Sequence, residues 1–481
     1  MLKKIGARIK NTPEGVKASV VYTVCSIFQR CLSFITMPLF TRLLTQAQYG
    51  QYSVYNSWLN ILTIFISLNV AHGSFSKAMV KYEKDRQGYV AAANTVTIVL
   101  AGVFLLIYLP FSSMWNNIFE LPTPMVLVMV GEIVFQSALM CWYASQRFEY
   151  KYKSVTAVTL LISLTAPILS LILVLNTEQK GYARIAGHAA IVGIAGLACA
   201  IYAMIRGKGG IKKGYWKYVL SFNIPLIPYY LSQVVFNQSD RIMISHMVGT
   251  DKAGIYAVAY TLATILTFVL NAINNSYVPW FYGKIKEEKG EENKPVATGI
   301  SALMAFLLLA VIALAPEIIT IMAGQAYREA VWVVPPVAMS IFLLFYCQLF
   351  INVEFYYEEK TLLVWGSIGA AIINVVLNWL LIPVFGFVAA GYTTLISYIV
   401  FAISNYITLQ IVAKRQNKRL DYFDLKAMLL VLFVFALLSF VAMALYDLIV
   451  IRYIIVAAVL LALIVFHKAV INFVKAVLVR K

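Results

Sequence analysis

The sequence predicts an all-α polytopic membrane protein of about fourteen transmembrane helices, arranged as two six-helix lobes related by a parallel repeat, plus a C-terminal helix pair. Three observations predict it. Of the 481 residues, 61% are hydrophobic and only 12% are charged, whereas a soluble chain carries about 25% charged residues. Apolar stretches of the ~20 residues that a helix needs to cross a bilayer recur along the whole chain. Finally, Leu44 to Ser67 (LTQAQYGQYSVYNSWLNILTIFIS) aligns without a gap on Val248 to Asn271 (VGTDKAGIYAVAYTLATILTFVLN), matching Gly50 with Gly254, Tyr52 with Tyr256, Val54 with Val258 and Leu62 with Leu266.

Taken in order, residues 1–17 are basic and polar and run into the first span without a small-residue cleavage site, so they read as a cytoplasmic segment with that span retained. The first lobe, 18–205, contains spans at 18–43, 50–78, 90–110, 124–145, 154–176 and 182–205. A basic break, RGKGGIKKGYWK at 206–217, reads as a cytoplasmic linker. The second lobe, 218–413, contains spans at 216–247, 254–281, 297–323, 330–353, 361–382 and 387–413. Segment 414–481 holds two more spans, 426–446 and 450–472, outside the duplication, and a basic tail. Prolines Pro38, Pro225, Pro228 and the Pro335-Pro336 pair predict bends or breaks in the first, seventh and tenth spans.

The loops test this count. With the N-terminus inside, 31 of the 39 Lys and Arg fall on the cytoplasmic side, and only Arg42, Lys180, Arg184, Lys252, Arg328 and Arg452 fall on the other. The positive-inside rule then puts both termini in the cytoplasm. The net charge of +18 is accounted for by topology, and no nucleic-acid partner is expected. Six spans per copy is an even number, so both copies enter the membrane in one orientation, and the substrate path is expected between the halves. The five cysteines all lie in apolar stretches, are odd in number and lack CxxC spacing, so they read as packing residues and imply no metal.

Polar residues inside spans are the candidates for function. Asn56, Asn60, Thr63 and Ser67 share one face of the second span, and their counterparts Tyr260, Thr264, Thr267 and Asn271 share one face of the eighth. Two roles fit: hydrogen bonding between packed helices, or lining a wet cavity common to both copies. In the seventh span Tyr230, Gln233, Asn237 and the Asp240-Arg241 pair recur every three or four residues. Arg30 lies mid-span with no acid within four residues. Charges in hydrocarbon cost roughly 2.5–3.5 kcal/mol each on insertion scales. Arg30, Asp240 and Arg241 therefore serve either as partners in interhelical ion pairs or, for the two arginines, as an anion site, since guanidinium offers a bidentate fork to phosphate oxygens. Glu132 and Glu354 are candidate counter-charges or proton sites, and His72 a candidate for the inner mouth. Nothing resembles an enzyme site: there is no P-loop, HExxH or GxSxG motif.

The stretches MPLFTRLLTQAQYGQYSVYNSW and NQSDRIMISHMVGTDKAGIYAVAYTL resemble paired signatures of the bacterial polysaccharide-biosynthesis flippases, within the multidrug/oligosaccharidyl-lipid/polysaccharide exporter superfamily. SLNVAHGSFSKAM and QRFEYKYKSV extend the similarity, which covers roughly residues 15–415. The resemblance implies a translocase, not an enzyme, that moves an undecaprenyl-diphosphate-linked oligosaccharide repeat unit across the bacterial cytoplasmic membrane by alternating access. No cofactor is implied; energy would come from a proton or sodium gradient or the membrane potential. Membrane lipids, a polysaccharide polymerase and glycosyltransferases are the partners it implies.

Arg42, Asp240 and Arg241 fall within the family-like segments, whereas Arg30 rests on its mid-span position alone. Absence of Asp or Glu from the first two spans departs from a cation-drug exporter and favours an anionic substrate. The sequence thus predicts Arg30, Arg42, Asn60, Thr63, Asp240, Arg241, Thr264 and Asn271 as substrate-binding residues, and Glu132, Asp240 and Glu354 as proton or ion sites. The alternatives are a peptidoglycan-precursor (lipid II) flippase, a cation-coupled multidrug antiporter and a membrane scaffold for polysaccharide assembly.

Overall fold

In hydrocarbon every backbone amide must be satisfied within the protein. The computed structural model meets that demand with helices: among the described residues, 14–358, 361–416 and 421–454, there is no strand. These residues fall into two units divided between Ser245 and His246.

The first unit contains α1 (Glu14–Leu43), α2 (Gln46–Ser67), α3 (Phe75–Lys81), α4 (Arg86–Tyr108), α5 (Ser112–Phe119), α6 (Thr123–Phe148), α7 (Tyr152–Leu175), α8 (Lys180–Arg206), α9 (Lys213–Asn223) and α10 (Ile227–Met247), the last ending just past the division. Thr45 starts α2 with a reciprocal cap: Gln48 N–H donates to Thr45 Oγ1 at 3.2 Å, and Thr45 N–H donates to Gln48 Oε1 at 3.0 Å. The expected span 50–78 is not one helix. It stops at Ser67, because Leu68 and Asn69 take left-handed backbone angles (φ 52° and 48°) that no helix continues through, and the chain turns before α3.

That turn is pinned. Asn223 at the end of α9 accepts from Ser74 N–H at 3.1 Å, and its amide donates to Ser74 Oγ at 2.9 Å. Ser74 Oγ in turn meets Tyr89 OH at 2.6 Å. The basic stretch 206–217 also packs on α4: Thr95 Oγ1 donates to Gly210 O at 2.8 Å, Trp216 Nε1 donates to the same oxygen at 3.0 Å, and Lys212 and Tyr215 both reach Asp85. Gly210 suits this contact, since a Cβ there would stand 2.7 Å from Ala91 O. Pro225 and Pro228 interrupt the seventh span with a 3₁₀ turn at Ile224–Leu226, as the sequence predicts.

The second unit contains α11 (Thr250–Ala263), α12 (Thr267–Lys286), α13 (Asn293–Ala313), α14 (Ala315–Ala323), α15 (Val334–Tyr356), α16 (Thr361–Phe385), α17 (Ala389–Arg415) and α18 (Leu425–Ala444). Two expectations are corrected here. The span 297–323 is two helices, α14 restarting with Pro316 in its first turn. Pro335 and Pro336 do not bend α15; they lie in its first turn, where the missing N–H groups need no partner. α15 is the axis of this unit, with Phe342, Phe345, Leu349 and Val353 buried against Phe281, Met304 and Phe435.

The helix expected at 426–446 has a clear place in this unit. α18 packs along α13 and α15: the Phe342 and Phe435 rings lie 4.8 Å apart, and Tyr346 OH donates to Met428 O at 2.8 Å. Beyond it, Tyr446 OH donates to Ile312 O at 2.8 Å, and Arg452 pairs with Glu317.

Twelve described segments are long and apolar enough to cross a membrane. α2 is a further 22-residue helix whose glutamines and asparagines keep it outside that set. The last expected span, 450–472, opens as a helix at Ile449 and from residue 455 lies outside the described residues. The chain is a multi-pass membrane protein.

Candidate functional site

The first unit gathers most of the predicted residues. Asp240 and Arg241 are both buried in α10. Arg241 is held from its own helix: Nη1 donates to Asn237 O at 2.8 Å and to Gln238 Oε1 at 2.9 Å. Gln238 Oε1 also accepts from the buried Ser57 hydroxyl of α2 at 3.2 Å. A guanidinium is thereby fixed beside α2, the helix that carries the predicted polar face. On that face Asn56, Asn60, Thr63 and Ser67 donate back to the carbonyls of Tyr52, Asn56, Leu59 and Thr63 at 2.6–2.8 Å. Their donors are used locally, while Asn60 stays exposed and Thr63 half-buried.

Arg30 is exposed on α1 and has no hydrogen-bonding or charge partner among the described residues; its neighbour Gln29 ties α1 to Ser163 of α7 at 3.0 Å. Arg42 is exposed in the last turn of the same helix. His72 is exposed in the turn after α2, its Nδ1 3.0 Å from Asn69 Oδ1.

In the second unit Thr264 begins a 3₁₀ turn, Thr264–Leu266, that separates α11 from α12, with its hydroxyl on Tyr260 O at 2.8 Å. Asn271 is exposed on α12. The two copies therefore differ: the expected span 254–281 is broken at the face where α2 is continuous.

The two predicted carboxyls have opposite surroundings. Glu132 of α6 is buried and fully engaged, with Tyr55 OH donating to Oε2 at 2.7 Å and His188 Nδ1 3.0 Å from Oε1. Glu354, near the end of α15, is buried, and neither of its oxygens has a hydrogen-bond partner among the described residues.

Three groups escaped the sequence reading. His188 stands four residues after Arg184 in a helix otherwise built of small and apolar residues, a spacing that marks one face. Arg184 itself lies over three rings, with Phe40, Tyr49 and Tyr52 centroids 4.3, 4.7 and 3.7 Å away, an arrangement that stabilises a cation in apolar surroundings. Third, α16 and α17 share a buried polar seam. Asn374 donates to Thr394 at 3.3 Å, Asn378 donates to Asn374 at 3.2 Å, Thr393 donates to Asn378, and Ser397 donates to Thr393 O at 2.7 Å. Its signal was two asparagines four apart in an apolar span.

Comparisons with known proteins agree with this architecture. Among curated proteins, a Haemophilus influenzae protein of the Lsg locus is 25% identical over 280 residues, which span 57% of this chain and 67% of that protein. An uncharacterized membrane protein of the same organism is 24% identical over 281 residues, 56% of this chain and 66% of that one. Among solved structures, the lipid II flippase MurJ in an inward closed conformation superposes with a TM-score of 0.68 at 13% identity, over 94% of this chain and all of that one. An inward-facing multidrug resistance MATE transporter of the MOP superfamily gives 0.58 at 11% identity, over 82% and 99%. The fold is that of these transporters. The family model described as polysaccharide biosynthesis protein matches residues 16–283, more than half of the chain and nearly all of the first unit's described helices, and the protein belongs to that family.

Proposed function

We propose that the chain flips an undecaprenyl-diphosphate-linked oligosaccharide repeat unit across the bacterial cytoplasmic membrane, by alternating access, for cell-surface polysaccharide synthesis. The observation that carries this reading is Arg30, a mid-span guanidinium with no carboxylate to neutralise it among the described residues. A cation left in that position favours an anionic ligand, and a diphosphate matches its paired donors. Arg241, fixed by Asn237 and Gln238, supplies a second donor group in the same unit, and Arg42 a third at the end of α1. Asn60 and Thr63 in the first unit, and Thr264 and Asn271 in the second, offer lone pairs and amides to sugar hydroxyls. Asp240, buried next to Arg241 in the same helix, is a further group for the sugar hydroxyls or for a coupling ion.

The test is leaflet translocation of a lipid-linked oligosaccharide in proteoliposomes. Arg30→Ala and Arg241→Ala lower the rate by roughly tenfold or more, equivalent to losing a charged hydrogen bond of about 1.5–3 kcal/mol, while Arg→Lys retains part of it. Full activity in both Ala variants overturns the diphosphate site. Lipid II in the same vesicles is the competing cargo, since MurJ shares the fold.

A further inference from the structure

We propose that Glu132, clasped between Tyr55 and His188, is the carboxylate that takes up and releases the proton coupled to transport, and that α2 reads its protonation state. This rests on the transporter reading above but not on the identity of the cargo.

Three helices meet at this carboxyl. Its side chain is 1% exposed, while that of His188 is 41% exposed. The imidazole therefore connects the surface to an oxygen that water does not reach directly. Tyr55 closes the opposite side on Oε2. A buried carboxylate needs a counter-charge or a proton, and the elements packed against α6 provide one group that can deliver either. On α8 the ionisable groups are Lys180, Tyr182, Arg184, His188, Cys199, Tyr202 and Arg206; Arg184 is already seated over Phe40, Tyr49 and Tyr52, and of the seven His188 alone reaches Glu132. On α2 they are Tyr49, Tyr52 and Tyr55. α4 brings Arg86, Tyr89 and Tyr108, which bond to Met79 O, Ser74 and Asn116. α3 carries Lys77 and Lys81, and α7 has Tyr152 and Lys153 in its first turn. α5 carries none, and Glu120 beyond it bonds to Ser245. Only Tyr55 and His188 are within hydrogen-bond distance of Glu132 among the described residues.

The step balances simply. His188 takes a proton from water on Nε2 and passes the Nδ1 proton to Glu132 Oε1; release runs in reverse, and no electrons are transferred. The consequence falls on α2. An ionised Glu132 accepts a charge-assisted bond from Tyr55, about twice as strong as the bond to a neutral acid. Protonation loosens the link between α2 and α6. Tyr55 is adjacent to Asn56, the first residue of the face that carries Asn60 and Thr63, so a proton at position 132 alters the hold on the helix that presents the polar face.

Infrared difference spectra of the full chain in nanodiscs, taken between about pH 9 and about pH 3.5 to span the ordinary histidine and carboxyl ranges, test the site without any cargo. The expected result is a protonated-carboxyl carbonyl band that grows as pH falls, persists in Glu354→Gln, disappears in Glu132→Gln, and shifts its midpoint in His188→Gln and Tyr55→Phe. A spectrum in which Glu132→Gln removes no titrating band overturns the proposal, because a purely structural triad stays in one protonation state. In proteoliposomes carrying lipid-linked oligosaccharide, an imposed pH gradient accelerates the wild type, and Glu132→Gln loses the whole of that acceleration. Cargo movement indifferent to the gradient in wild type overturns the coupling and leaves the flippase reading intact. A titrating Glu132 in a protein that moves no saccharide lipid supports the proton site and sinks the flippase reading instead.

Discussion

Gly73 has no side chain because none fits: a Cβ there would lie 2.2 Å from Asn223 Oδ1, the oxygen that accepts from Ser74 N–H. Gly73→Ala must push Asn223 out of its bonds to Ser74, and overpacking of this kind costs about 1–3 kcal/mol. A lowered thermal unfolding midpoint in detergent, with Gly73→Ser at least as damaging, is the expected result. Glu354 poses the opposite case, a buried carboxyl with no hydrogen-bond partner for either oxygen among the described residues. Leaving a polar group buried without a partner costs about 1–3 kcal/mol, so Glu354→Leu raises the unfolding midpoint. A fall in the midpoint would mean that the carboxyl is satisfied and that its role is structural. Glu132 and Glu354 were equal candidates in the sequence, because a spacing pattern shows which helix a carboxyl sits on but not what faces it; Tyr55 and His188 lie 77 and 56 residues from Glu132 along the chain.

Helix identity was legible wherever apolar runs were long, and helix ends were legible where chemistry is local. Pro225 and Pro228 marked the 3₁₀ turn correctly. The stop after Ser67 was hidden, because Leu68 and Asn69 adopt left-handed angles without glycine, and the bonds between Ser74 and Asn223 that pin the turn come from a residue 149 positions away. Pro335 and Pro336 misled for a related reason: a proline reads as a break or as a first turn depending on where the chain enters the helix. α18 shows the same limit. Its uniform apolarity identified a span, but its function as a cover for α13 and α15 needed the packing. Removing the chain after Arg415 strips Phe435 from Phe342 and Met428 from Tyr346. The truncated protein is expected to aggregate on fluorescence-detected size exclusion, whereas Tyr346→Phe, which deletes one hydrogen bond worth about 0.5–1.5 kcal/mol, remains monodisperse with a lowered midpoint.

For the whole molecule, sidedness follows from charge. The concentration of Lys and Arg in alternate breaks predicts that both termini are cytoplasmic, with the α6–α7 and α12–α13 connections on the same side and the α7–α8 connection opposite. The structure supplies exposed positions at which to read this out: Lys153 and Lys289 on the basic side, Glu178 and Arg328 on the other. In a background lacking Cys25, Cys31, Cys141, Cys199 and Cys347, single cysteines at Glu178 and Arg328 should react with a membrane-impermeant maleimide in intact spheroplasts. Cysteines at Lys153 and Lys289 should react only after permeabilisation. Inverted labelling would put Arg42 and Arg184 on the cytoplasmic side and reverse the leaflet from which Arg30 and Arg241 take a headgroup. Mixed labelling within one side would break the six-span repeat itself, because a parallel duplication requires equivalent connections to share a face of the membrane.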